Sequence, residues 1–152
     1  MKQDLGLYDY WPYENRPKIR WPGGAKLAFW VAPNIEYYEL DPPQNPFRTA
    51  WPQPIPAIPG YSIRDYGNRV GHVRQMQLLN KYGIRGSVSL STALCDHHPE
   101  IIKQCRDLDW EFFSHGIYNT RYTYGMSEDQ EREMIRDSIE SIFKHTNQKC
   151  AG

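Results

Sequence analysis

This chain of 152 residues predicts an α/β fold built on a parallel sheet, and three segments carry the prediction. Lys26 to Val31 (KLAFWV) is a nearly continuous apolar run, the pattern of a strand buried on both faces. Gly86 to Leu94 (GSVSLSTAL) alternates serines with Val88 and Leu90, and Trp110 to Ser114 (WEFFS) runs into His115-Gly116. Helix-period segments separate these runs, and strands alternating with helices imply parallel pairing through right-handed crossovers. Three parallel strands leave long unpaired edges, and a β/α barrel needs several more. The three β/α units are therefore expected to be the N-terminal portion of a longer barrel, a fourth strand beginning near Lys149.

Residues 1–24 hold three prolines between positions 7 and 24 and no helical period, so they read as an extended arm ending at Gly23-Gly24. Residues 25–152 then form the barrel portion. The first strand stops at Pro33, and Asn34-Ile35-Glu36 follow directly. Residues 37–68 read as one long loop rich in proline and aromatics; ordered loops of that length are usually functional. Its Phe47, Trp51, Tyr61 and Tyr66 either line a substrate groove or simply pack the loop onto the domain.

Val70, Val73, Met76 and Leu79, with Leu78 and Tyr82 beside them, predict a helix closed by Gly83. Pro99 in a first turn opens a short helix carrying Ile101, Ile102, Cys105 and Leu108. Ser127-Glu128-Asp129-Gln130 matches a capping box, and the helix after it is expected to bury Met134, Ile135, Ile139, Ile142 and Phe143.

Lys plus Arg equals Asp plus Glu, so zero net charge gives no field favouring nucleic acid or an anionic membrane. No run of apolar residues is long enough for a signal peptide or a membrane span. Three cysteines, Cys95, Cys105 and Cys150, stand in no framework spacing, which fits reduced thiols in a cytoplasm. Phosphate-binding glycine loops, a Gly-x-Ser-x-Gly elbow and a Cys-x-x-Cys pair are absent from the sequence. Cys95 reads as a buried, inert thiol.

In parallel β/α folds the reactive groups sit where strands end and loops begin. Two strand ends carry suitable groups: Glu36 after the first, and His115 after the third with Asn119 four residues on. Glu36 and His115 can each bind a divalent metal or move protons near neutral pH, so both are candidate catalytic residues. Arg64-Asp65-Tyr66-Gly67-Asn68-Arg69 precedes the predicted helix. Arg69 is a candidate fork for substrate; the alternative is capping by Asp65 or Asn68 with solvated arginines. His72, His97, His98 and His145 read as structural.

Arg16-Pro17 with Trp21-Pro22-Gly23-Gly24, Asn34-Ile35-Glu36, Arg64 to Gly71 and Ser114-His115-Gly116 with Asn119 together resemble the polysaccharide deacetylase superfamily, or NodB-homology domain. They most resemble its cytoplasmic, allantoinase-like branch. The resemblance implies an incomplete (β/α)7 deacetylase-type barrel and hydrolysis of non-peptide carbon–nitrogen bonds. Asn34 stands where metal-using members carry the base, Glu36 where they carry an acidic ligand, and His115 and Asn119 where they carry a histidine pair. An amide is no general base, and two strong ligands seldom hold zinc. The resemblance thus implies a site with no cofactor, Glu36 and His115 being metal ligands only if zinc or another divalent ion binds.

On this reading Glu36 or His115 activates water, and Asn34, Asn119, Tyr66, Trp51 and Arg69 bind a small amide, ureide or acylated sugar. The alternatives are a zinc-dependent N-acetyl-sugar deacetylase and a non-catalytic carbohydrate-binding module. The resemblance also implies further catalytic groups on later strands, so the 152 residues are expected to be inactive alone. A homo-oligomer is possible; no nucleic acid or membrane partner is expected.

Overall fold

The computed structural model describes residues 8–43 and 55–152. Residues 8–24 are exposed apart from half-buried Pro12 and carry two short 3-10 turns, Tyr13–Asn15 and Pro22–Gly24. Three parallel strands follow, in the order β1 (Asn34–Ile35), β2 (Ser87–Leu90), β3 (Glu111–Ser114). The helices are α1 (Ile58–Tyr66), α2 (His72–Lys81), α3 (Leu94–His97), α4 (Pro99–Asp107) and α5 (Glu128–Thr146).

The first strand departs from the expected one. Its ladder begins late: Ser87, Ser89 and Ser91 donate their N–H groups to the carbonyls of Val31, Pro33 and Ile35 at 2.9–3.0 Å. Leu27, Phe29 and Trp30, expected in the core, are 67–77% exposed. Among the described residues β1 is an edge strand paired on one side only, and the apolar run before it stays largely open, with the Trp30 ring 6.1 Å from that of Phe113. On the opposite side of the sheet, Ala151 donates to Phe112 O at 2.9 Å, so the chain after α5 turns back along the edge of β3.

β2 is central and all four of its residues are buried. Its predecessor, Gly86, has a packing reason to be glycine: a Cβ there would lie 2.7 Å from the Trp110 ring. Val88, Leu90, Phe112, Trp110 and Ile102 form the core with Leu94, Cys105 and Ile142, each no more than 1% exposed.

The helix before β2 starts much earlier than Val70. Pro59 sits in the first turn of α1, where its missing N–H costs nothing. A π-turn at Gly67–Gly71 joins α1 to α2, so the residues expected to end the loop are helical. α2 stops as predicted: Gly83 (φ 64°) donates to Asn80 O and Ile84 to Leu79 O, a Schellman closure. Leu78 and Tyr82, however, face solvent.

The capping box on α5 is present. Ser127 Oγ accepts from Gln130 N, and Gln130 Oε1 accepts from Ser127 N at 2.9 Å. Ser127→Ala is expected to cost about 1 kcal/mol, read as a lower urea midpoint with an unchanged slope. α5 buries only part of the expected face: Ile142 is buried and Met134 half-buried. Ser138, Ile142 and Thr146 are buried, whereas Ile135, Ile139 and Phe143 are 46–57% exposed. Small Ser138 and Thr146, each four residues from Ile142, admit close approach to the rest of the domain, and α5 contacts β3, α4 and α3. Nothing among the described residues covers the bulkier stripe. No helix among the described residues is long and apolar enough to cross a membrane.

Candidate active site

Parallel pairing sets the ends of β1 and β3 on either side of β2, and the groups after them meet. His115 continues the third ladder, donating its N–H to Leu90 O at 2.8 Å. Gly116 then turns at φ +80°, a conformation that favours glycine, and redirects the chain toward β1. His115 Nε2 comes to 3.3 Å from Glu36 Oε1, with side chains 37% and 21% exposed. Asn119 donates to the other carboxylate oxygen, Oε2, at 2.8 Å, and its amide also contacts the Tyr38 hydroxyl. Both oxygens of Glu36 are therefore engaged by the loop after β3.

The backbone holds this arrangement. Asn119 N donates to Tyr37 O at 3.0 Å, and Asn68 Nδ2 in the π-turn donates to Glu36 O at 2.9 Å. Glu39 receives Thr120 Oγ1 at 2.6 Å and Arg121 through Nε and Nη2 at 3.1 and 2.7 Å. Burial pushes the Glu39 carboxyl up, but its hydrogen bonds from Arg121 and Thr120 outweigh burial and hold it below the usual range. Glu39→Gln is expected to destabilise by about 2 kcal/mol near neutral pH, with little change below the usual carboxylate range; thermal melts at both pH values check this. Tyr37 stacks on His97 at 4.1 Å and 11°, with Tyr118 edge-on to both. Burial, reinforced by neighbouring Tyr61, Tyr118, Asp65 and Glu39, raises the Tyr37 hydroxyl above its ordinary value.

Two clefts adjoin the pair. One, of about 310 Å³, runs between Asn34 and Glu36 on the strand side and Arg64, Gly67, Asn68, Gly71 and Gln75 on the helix side. The other, about 500 Å³, is lined by His115, Tyr118, Arg121 and Tyr122 with residues of α5.

Of the expected substrate-binding residues, Asn34 lines the first cleft. Asn119 points to Glu36, not into a cleft. Arg69 is turned away: its Nε bonds Asp65 Oδ2 at 2.6 Å on the helix surface, and Arg64 takes the cleft position. Tyr66 is 57% exposed and lines neither cleft. Helical geometry explains both corrections, because 64, 68, 71 and 75 share one face while 65, 66 and 69 fall off it. Trp51 and Phe47 lie outside the described residues. Capping by Asp65 or Asn68 does not occur, since both sit inside the helical stretch.

Tyr38 and Asn68 belong to the site and were not expected. Their signals are local: Tyr38 is two residues from Glu36 in an extended segment, hence on the same side, and Asn68 lies one helical turn from Arg64. Cys95 and Cys105 are buried, and burial raises both thiols, Cys105 to about 12.

Glu36 and His115 bring two strong metal donors, and the side chain in the third position, Asn119, presents its amide nitrogen to Glu36. Among the described residues no group of three His, Cys, Asp or Glu is placed to hold a metal. This donor set falls short of the three protein ligands of a catalytic zinc site.

No protein-family model matches the chain, and no curated protein matches it. Solved structures do. A probable polysaccharide deacetylase from Pseudomonas aeruginosa PAO1 superposes with a TM-score of 0.74 and 25% identity over 91% of this chain and 50% of its own. The Puue allantoinase superposes with a TM-score of 0.71 and 23% identity over 95% of this chain and 51% of its own. The chain spans about half the length of the solved structures it matches. With its parallel sheet and crossover helices, it has the α/β fold of about half of a domain shared by a polysaccharide deacetylase and an allantoinase.

Proposed function

We propose that this chain contributes the Glu36–His115 centre of a hydrolase acting on non-peptide carbon–nitrogen bonds of amide type, without a metal. The 3.3 Å approach of His115 Nε2 to Glu36 Oε1 carries the reading, and the deacetylase and allantoinase neighbours support it. A carboxylate beside one imidazole nitrogen favours the tautomer with the proton there and leaves the lone pair on the other. His115 is thus the base: its Nδ1 takes a proton from water, and the hydroxide adds to the carbonyl carbon. The C–N bond then breaks, and the amine departs with the proton returned from the imidazolium. Glu36 stabilises the charged imidazolium, Asn119 and Asn68 fix Glu36, and Asn34 orients the substrate amide. The substrate is a small amide, ureide or acylated sugar. Free thiols at Cys95 and Cys105 support a reducing, cytoplasmic setting.

Turnover of a panel of ureides and N-acetylated sugars by the full-length protein, with the rest of the barrel present, tests this. Glu36→Gln and His115→Ala are each expected to lower kcat/KM about a hundredfold, and EDTA is expected to change nothing. Stoichiometric zinc lost together with activity would replace this reading with a zinc-dependent N-acetyl-sugar deacetylase. Sugar binding without turnover would indicate a non-catalytic module.

A further inference from the structure

The cleft beside Glu36 sets a few polar side chains against apolar surface and bare glycine backbone. Asn34, Gln75 and Arg64 face it, and Glu36 is the one carboxylate among its lining residues, both oxygens being taken by His115 and Asn119. Arg64 commits one N–H to Gly60 O at 3.1 Å, and its guanidinium lies 3.9 Å over the Tyr38 ring. That contact anchors the guanidinium beside the cleft and leaves further N–H donors for a ligand. Because the Tyr38 hydroxyl contacts Asn119, the fork is linked to Glu36 through two side chains. Gly67 and Gly71 form the wall between, and a Cβ at either would meet no atom within 4 Å, so open space lies against bare backbone. A volume of about 310 Å³ is at the small end of ligand pockets.

A ligand here must be compact, and opposite the Arg64 guanidinium it gains most from a negatively charged acceptor. The geometry points to a small amide bearing a carboxylate, with Arg64 gripping the carboxylate while the amide carbonyl lies at the Glu36–His115 pair. This inference rests on the hydrolase reading and narrows its substrate class; Arg64 is its specificity determinant.

N-acetylglycine and N-acetylglycinamide differ chiefly in terminal charge and serve as probes, titrated into the chain by NMR. N-acetylglycine is expected to bind about tenfold more tightly. Arg64→Gln removes that preference while sparing the weak binding of the amide, and Arg64→Lys restores part of it; circular dichroism verifies each fold. Equal affinities in the wild type, binding of neither probe, or a preference untouched by Arg64→Gln would overturn the inference. Binding is read without turnover, so the two readings fail separately. A preference retained by wild type and Glu36→Gln, in a full-length protein that hydrolyses nothing, sinks the hydrolase alone. Turnover without any carboxylate preference sinks the inference alone.

Discussion

Trp110→Ala is expected to destabilise the domain by about 3–5 kcal/mol, read as a fall in the urea midpoint. Trp110 is 1% exposed, and its ring lies against Gly86 and meets the edge of His72 at 6.3 Å and 86°. Its N–H reaches Cys105 O, and its carbonyl accepts Gln148 Nε2 at 3.1 Å. One side chain thus fills the space between α2 and the start of β2, while its backbone ties α4 to the chain after α5. Truncation leaves a cavity that these separate elements cannot jointly close. The reciprocal change, Gly86→Ala, forces a Cβ to 2.7 Å from the ring and is expected to cost about 1–3 kcal/mol by overpacking. In a Trp110→Ala background that second cost should vanish. If Gly86→Ala is equally harmful in both backgrounds, the ring–glycine contact is not what matters there.

Acid should weaken the fold through His72. Burial lowers its imidazole to about 4 from an ordinary 6.5, and its Nε2 sits 3.3 Å from Cys105 Sγ. The folded state keeps this ring neutral while the unfolded chain takes up the proton, so stability drops as pH falls from about 6.5 and levels off near 4. At about 1.4 kcal/mol per pH unit, the loss sums to about 3 kcal/mol. His72→Leu removes the titrating group, and the difference between its pH–stability curve and the wild type's isolates the effect from that of the carboxylates. Parallel curves between pH 7 and 4 would show that His72 is not the source.

Much of the local architecture could be read from residue order because its causes are local. Ser127 and Gln130 satisfy each other's backbone donors three residues apart, Gly83 closes a helix through its own φ, and Pro99 opens one. Such features need no partner from elsewhere in the chain. The face that a helix buries is different, since it depends on what lies opposite. In α5 the stripe of Ile135, Ile139 and Phe143 looked internal, yet the helix docks through Ser138, Ile142 and Thr146. Likewise Leu27, Phe29 and Trp30 spell a buried strand, but they stay largely exposed in the fold.

The reach of α1 decided the rest of the site. Prolines at 52, 54, 56 and 59 read as loop, and Pro59 instead occupies a helical first turn. Once the helix is carried back to Ile58, the spacing of Arg64, Asn68, Gly71 and Gln75 marks the cleft face, and Arg69 falls outside it.

Sequence alone determined the alternation of elements, the parallel sheet and the placing of Glu36 and His115 at strand ends, because periodicity and capping act over a few residues. Tertiary structure alone decided that these two side chains come within 3.3 Å, that Asn119 turns to the carboxylate, and that Arg64 faces the cleft. Those contacts join residues some 80 positions apart. They depend on strand register and on where a π-turn rotates a helix, quantities that no local pattern of residues encodes.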